Sequence, residues 1–344
     1  MSNNDFTSDS ISIYGKSVEQ HLRDNLKEKT GLLFDLISYH FGWSNLSGDE
    51  DTYSPIPNLD SILCLVVSKL LCGSDVLAME FASSIELLAN FLTIHNDVQH
   101  GGSDNQRPSI WWTWGPSQAI NAGDGLHALA RTNILTNPNM TDELKLQAIT
   151  DLDQACLNIF EGQYSELTIR DELRITEATF LEMVSNKSGS LTECAFSLAC
   201  RTTSSPTPDL ILKEFKQAGS DLGVSFQIQK DIKDIWGDDG LGLTRDNIML
   251  KRKTFPLIHT LNTATRPIIR EISGLYMKRV LDDKDASTIV NIMEESGSKN
   301  YAILKAKTLF NNSIKIIQKT IDANPNTETN EIQLVFNHFL NKTL

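Results

Sequence analysis

The sequence predicts an all-α fold. Past the first ten residues, nearly every segment repeats its apolar residues with a period of 3.6, while strand-like alternation is absent. The chain has 344 residues, of which 40% are hydrophobic, enough to bury a sizeable core. No internal repeat and no polar linker divides it, so one helical domain over residues 11–344 is expected, after a disordered start at 1–10.

In chain order, helices are expected at about 12–42, 57–75, 79–100, 117–135, 141–170, 176–202, 207–236, 254–281, 285–296, 299–323 and 327–343. Start signals support several of them. Asn139-Met-Thr-Asp precedes the fifth, Thr176-Glu opens the sixth, and Asp285 or Ser287 opens a late one. Loops are expected at 43–56, 101–116 and 237–252, where Gly, Pro, Ser and Asp gather.

Composition then narrows the function. A net charge of −13 argues against a nucleic acid or an anionic membrane surface as main partner. An anion would have to bind in a local basic or metal-loaded pocket. The five cysteines lie in apolar helical contexts with no CxxC spacing, so they are expected to be reduced core thiols. The N-terminus lacks a basic-then-apolar pattern, and no apolar run approaches the ~18 residues of a membrane span. A cytoplasmic protein is therefore expected.

Two helix ends carry unusual polar groups. The first is Ile94-His95-Asn96-Asp97-Val98-Gln99-His100. On a helix Asn96 and His100 share a face and Asp97 flanks them, so the three converge on one point. The second is Phe226-Gln227-Ile228-Gln229-Lys230-Asp231-Ile232-Lys233-Asp234, where Lys230, Asp231 and Asp234 repeat the spacing. Carboxylates so arranged on facing helices suit hard divalent ions that bridge to phosphate oxygens. A pair of solvated helix ends is the other reading of these residues. Acidic groups there oppose the helix dipole, so something has to compensate them.

Around these ends the chain resembles the trans-type isoprenyl diphosphate synthases, or polyprenyl synthetases, from about residue 15 to 300. The resemblance is carried by Ile85-Glu-Leu-Leu-Ala-Asn-Phe-Leu-Thr-Ile-His95, by Gln118-Ala-Ile-Asn-Ala-Gly-Asp124, by Glu161-Gly-Gln163 and by Lys187-Ser. Gly223-Val-Ser-Phe-Gln227, Asp231, Ile235-Trp-Gly-Asp238 and Lys253-Thr-Phe-Pro256 follow in order. It implies the isoprenoid synthase fold, an antiparallel helix barrel around a deep apolar cavity with both acidic motifs at its mouth.

Departures from the family pattern are uneven. Its first DDxxD motif stands here as Asn96-Asp97-Val98-Gln99-His100, and its second as Lys230-Asp231-Ile232-Lys233-Asp234. Its Gly-Lys-Arg grip on isopentenyl diphosphate aligns with Ile56-Pro57-Asn58, and a further arginine becomes Asp60. The paired arginines after the first motif appear as Asn105-Gln106, leaving Arg107-Pro108. Each charge-assisted contact to a diphosphate is worth ~1.5–3 kcal/mol, so losing two costs several decades of affinity. Elongation with isopentenyl diphosphate is therefore not expected.

The allylic side keeps more. By resemblance, Asn96, Asp97, His100, Asp231 and Asp234 form a weakened magnesium site. Asp97, Asp231, Lys187 and Lys230 carry the chemistry, while Phe91, Arg107, Gln163, Gln227 and Arg252 contact the substrate. Lys230 either replaces a metal ion as diphosphate partner or closes the site by pairing with Asp97. Phe91, five positions before Asn96, matches an aromatic that limits chain length, which implies tails from geranyl to geranylgeranyl length; an ordinary core phenylalanine is the alternative. Trp111, Trp112 and Trp114 either face a carbocation or anchor a loop.

Two functions follow, ahead of a third, a carrier of isoprenoid lipids without chemistry. The first is a terpene-synthase-like enzyme that ionises an allylic diphosphate for cyclisation, elimination or transfer to an acceptor other than isopentenyl diphosphate. The second is a non-catalytic subunit of a heteromeric synthase. A homodimer, or a heterodimer with an active synthase, is implied accordingly.

Overall fold

The computed structural model describes residues 3–51, 58–101, 107–170, 172, 175–205, 207–237 and 246–323. All named elements are helical, and the only extended pairing among the described residues is an isolated bridge between Ser44 and Glu50. They run α1 (Asn3–Leu26), α2 (Leu32–His40), α3 (Leu59–Leu70), α4 (Asp75–His100), α5 (Ile110–Trp114), α6 (Pro116–Leu135) and α7 (Asp142–Ile169). Then come α8 (Glu177–Val184), a π-helical turn (Ser185–Gly189), α9 (Ser190–Cys200), α10 (Asp209–Trp236), α11 (Asp246–Met249), α12 (Phe255–Thr263), α13 (Arg266–Tyr276), α14 (Asp283–Glu295) and α15 (Ser298–Ala323).

The expected all-helical class holds, and local chemistry explains where boundaries moved. The segment expected at 12–42 is two helices, broken at Gly31 in a positive-φ conformation of 120°. The segment 254–281 breaks at Ala264-Thr265, both extended, ahead of Pro267 in the first turn of α13. The segment 176–202 keeps its course but widens into the π turn at Ser185–Gly189. Short helices α5 and α11 lie inside the expected loops. Helix α1 starts at Asn3, within the stretch expected to be a disordered start. Its C-terminal half is anchored by buried Val18 and Leu22, and a helix so nucleated propagates at little cost. The segment 327–343 lies outside the described residues.

Side-chain caps agree with the start signals in part. Thr176 accepts from Thr179 N at 3.0 Å, and Thr141 accepts from Leu144 N at 3.2 Å. The late helix starts earlier than expected: Asp282 is the cap, in a capping box with Asp285. Four cysteines are buried as expected, but Cys72 is exposed, at a left-handed turn after α3 with φ 53°.

Contacts divide the chain into two compact units, one within 1–153 and 195–208, the other within 154–194 and 209–325. In the first, α4 packs on α6 and α3. Ala119, Ala122, Leu126 and Ala130 are buried on α6, and this small-residue stripe allows close approach to α4. Helix α3 is buried on all sides from Ser61 to Ser68, as its apolar run requires. Helix α4 is long and apolar enough to cross a membrane by composition, contrary to expectation, yet most of it is buried inside the protein, as in a central core helix. In the second unit, α10 packs on α15. One core gathers Phe180, Ile228, Ile232, Phe255 and Ile258, another Ile235, Leu257, Ile289 and Met293.

Candidate functional site

The first motif occupies the last turn of α4. Asn96, Asp97 and His100 are half-buried there, and Gly101 closes the helix in the left-handed conformation with its N–H on the Asp97 carbonyl. One turn earlier, the buried ring of Phe91 sits between two imidazoles, with centroids 4.6 Å from His95 and 4.9 Å from His127. His95 Nε2 lies 3.6 Å from Asp124 Oδ1. Here the glycine of Asn121-Ala-Gly-Asp124 finds its reason: a Cβ on Gly123 would come within 2.5 Å of His95 Nε2 and 3.4 Å of the Phe91 ring.

The second motif occupies the last turns of α10. Asp231 is buried and accepts from Gln227 Nε2 at 2.8 Å and from the Phe255 backbone N–H at 2.9 Å. Burial pushes its carboxyl up to about 7, against those two hydrogen bonds and the charge of Lys187. Gln227 is itself fixed by Ser188 Oγ, which donates to its Oε1 at 3.2 Å. Asp234 accepts from Asn247 N at 3.2 Å, and Arg252 folds back on Asn247 through its own N–H at 2.8 Å. Lys230 is exposed and has no ion pair among the described residues.

Lys187 rides on the π turn, a distortion that often marks functional sites. Its ammonium pairs with Glu166 on α7 at 2.6 Å, and both side chains keep about a quarter of their exposure (24% and 22%). The turn lies directly on α7 because residue 162 is glycine: a Cβ there would meet the Lys187 backbone nitrogen at 2.5 Å. Gln163, next to it, is half-buried.

Arg107 is committed elsewhere. Its guanidinium donates to Asp51 Oδ2 at 2.6 Å and to the Ser44 carbonyl, and stacks 3.8 Å from the Tyr39 ring centroid. It thus fastens the segment 44–51 rather than standing ready for a diphosphate. Asn58 has also acquired an internal role. Its side chain caps α3 through Asp60 N at 2.8 Å, and its backbone N–H donates to buried Glu86 at 2.9 Å. Ser61 donates to Glu86 Oε2 at 2.6 Å and Asn90 Nδ2 donates to Glu86 Oε1 at 2.9 Å, while Asn90 Oδ1 meets His40 Nε2 at 2.9 Å. Burial raises the Glu86 carboxyl above its ordinary range and lowers His40 to about 4, so His40 is neutral. Ile56, Pro57, Asn105, Gln106 and Asp238 lie outside the described residues.

The tryptophans belong to α5 and its surroundings. Trp111 and Trp112 meet edge-on at 5.5 Å, Trp112 is exposed, and Trp114 lies edge-on to Tyr39 at 4.8 Å. Glu166 and Asn247 are not marked by the sequence, and Ser188 and Phe255 stand in family-like motifs without a role assigned to them. They act through contacts distant along the chain, which spacing does not reveal.

The donor sets differ in their suitability for a divalent ion. Among the described residues, no group of three or more His, Cys, Asp and Glu side chains comes together. The first motif offers an amide, a carboxylate and an imidazole on one turn, donor types a divalent ion accepts. The second does not fit. Both Asp231 oxygens are taken by N–H donors, Asp234 holds Asn247, and a lysine stands where a ligand is needed.

An all-helical chain whose long helices end in paired polar motifs, with a lysine on a π turn beside the second, has the architecture of the isoprenoid synthases. The polyprenyl synthetase family model matches residues 59–293, and the chain belongs to that family. It is 32% identical over 249 residues to a geranylgeranyl diphosphate synthase of Mycobacterium tuberculosis, covering 71% of this chain and 69% of that one. A geranylfarnesyl diphosphate synthase of Aeropyrum pernix is 28% identical over 257 residues, covering 72% and 79%. The fold is that of a polyprenyl synthetase from Streptomyces coelicolor, with TM-score 0.84, 20% identity and coverage of 98% and 99%. A geranylgeranyl pyrophosphate synthetase from Pyrococcus horikoshii follows at TM-score 0.80, 19% identity and coverage of 97% and 98%.

Proposed function

We propose that the protein binds an allylic prenyl diphosphate, of geranyl to geranylgeranyl length, and ionises it without using isopentenyl diphosphate. The observation that carries this reading is the closure of the cationic grip expected for isopentenyl diphosphate. Asn58 caps a helix and feeds Glu86, and Asp60 is acidic. On the allylic side, Lys230 is exposed, Lys187 supplies a second cation when its ion pair with Glu166 opens, and Gln227 and Arg252 supply donors. A divalent ion at Asn96, Asp97 and His100 would neutralise diphosphate oxygens when bound. Phe91, held between two imidazoles, limits the tail. The resulting cation then cyclises, loses a proton or is captured by another acceptor.

Two further inferences accompany this reading. Leu157, Phe160, Tyr164 and Leu167 are exposed on one face of α7 at three- and four-residue spacing, which supports a homodimer. The second functional reading, a non-catalytic subunit paired with an active synthase, is favoured by one observation: Asp231 is locked by its own hydrogen bonds.

Geranyl, farnesyl and geranylgeranyl diphosphates, each with magnesium or chelator and with or without isopentenyl diphosphate, test these readings. Magnesium-dependent pyrophosphate release without isopentenyl diphosphate is expected, with no elongated product. Elongated products would overturn the proposal. Saturable binding without release would establish the subunit reading. Glu166→Gln frees Lys187 from its ion pair, and a tighter allylic diphosphate complex is expected by calorimetry.

A further inference from the structure

We propose a second ligand site in the first unit, a groove that takes a small amphiphile with an apolar body and a cationic head. The groove encloses about 990 Å³, the size of a small-molecule pocket. Leu32, Leu33, Leu36, Leu46, Tyr39 and Trp114 give it apolar and aromatic walls. They come from α2, from the segment 44–48 and from the end of α5, with α6 closing the far side.

The groove is built by the residue diverted from the diphosphate. Arg107 holds Ser44 and Asp51 and stacks on Tyr39, and Trp114 meets Tyr39 edge-on. That assembly fixes the lip carrying Leu46, which is 59% exposed. An exposed leucine beside a preformed aromatic wall is apolar area that a ligand would cover.

Charge selects the head group. Among the described residues lining the groove, the only charged side chains are Asp35 and Asp124. Asp35 is exposed in the first turn of α2, and Asp124 is exposed on α6 with His95 as its neighbour. Backbone and side-chain amides of Asn45, Gln118 and Asn121 complete a neutral rim. An anionic head would meet two carboxylates and no cation, whereas an ammonium would be attracted by both. The site therefore excludes a prenyl diphosphate, and its occupancy does not depend on the proposed catalytic reading.

Calorimetric titration of the full chain with dodecyltrimethylammonium, dodecyl maltoside and dodecyl sulfate, each below its micelle concentration, tests the proposal. Saturable binding of the ammonium is expected, at least about tenfold tighter than that of the sulfate. Asp35→Asn narrows that gap, and Leu46→Asp abolishes the preference for a long tail; both positions are exposed, so the fold tolerates them. Saturating farnesyl diphosphate leaves ammonium binding unchanged. Equal affinity for sulfate and ammonium, insensitivity to Leu46→Asp, or displacement by farnesyl diphosphate would each overturn it.

Discussion

Glu86 in the first unit and Asp231 in the second are both buried carboxylates with no ion pair among the described residues, yet they are held differently. Glu86 collects donors from the start of α3, from Ser61 and from Asn90, and the network continues to a neutral His40. Asp231 has only Gln227 and one backbone N–H, and its carboxyl titrates near 7. The first network occupies the place where the family resemblance puts cations for a diphosphate, and it is satisfied from within. The second is thinly supported, so its protonation responds to pH in the range where the protein would work. One unit has turned its polar residues to stability. The other has kept a group whose charge is still adjustable.

The largest effect expected from breaking this contrast comes from Glu86→Ala. It strands buried donors on Asn58, Ser61 and Asn90, and a loss of about 4 kcal/mol is expected in chemical denaturation. A loss below about 1 kcal/mol would mean that water replaces the carboxylate and that the network is not closed.

Asp231 and His40 contribute to the pH dependence with opposite signs. Asp231 is raised in the folded state, so its contribution is full below the ordinary carboxylate range and declines as pH rises through about 7. His40 is lowered, so its contribution is full above its ordinary 6.5 and declines as pH falls through about 4. Asp231→Asn is expected to remove a few kcal/mol of the stability lost between pH 4 and 7, leaving the acid-side loss from His40 exposed. Melting temperatures measured across that range check both signs; an unchanged slope in the variant would show that Asp231 is charged throughout.

A smaller effect distinguishes two glycines of the family-like motifs. At Gly162 an added methyl meets the backbone of Lys187, which cannot swing aside, so Gly162→Ala should cost about 2 kcal/mol. At Gly123 it meets the tip of the His95 ring, which can rotate, so Gly123→Ala should cost about 1 kcal/mol or less. Urea unfolding of the pair orders them, and equal losses would show that His95 is as fixed as the main chain.

The smallest effect concerns Arg107. Its donors are committed to Asp51 and Ser44, so Arg107→Ala should change affinity for an allylic diphosphate by less than about twofold. A tenfold loss, roughly the value of one charge-assisted contact, would return Arg107 to the substrate.

Periodicity and turn chemistry were enough to read the helical class, because a buried stripe at 3.6-residue spacing depends only on local sequence. Motif residues Asn96, Asp97, His100, Lys230, Asp231 and Asp234 were legible for the same reason: positions three and four apart on a helix share a face whatever surrounds them. The π turn at Ser185–Gly189 was not legible, since it follows from how Lys187 rests on Gly162, far away in the chain. Nor could spacing show that Arg107 would be taken by Asp51, that Lys187 would pair with Glu166, or that Asp231 would lose both oxygens to Gln227 and Phe255. Side-chain type and helical position were set by the sequence itself. Which charges remain available was decided only by tertiary packing, because burial and a distant partner determine whether a charged group is spent within the fold.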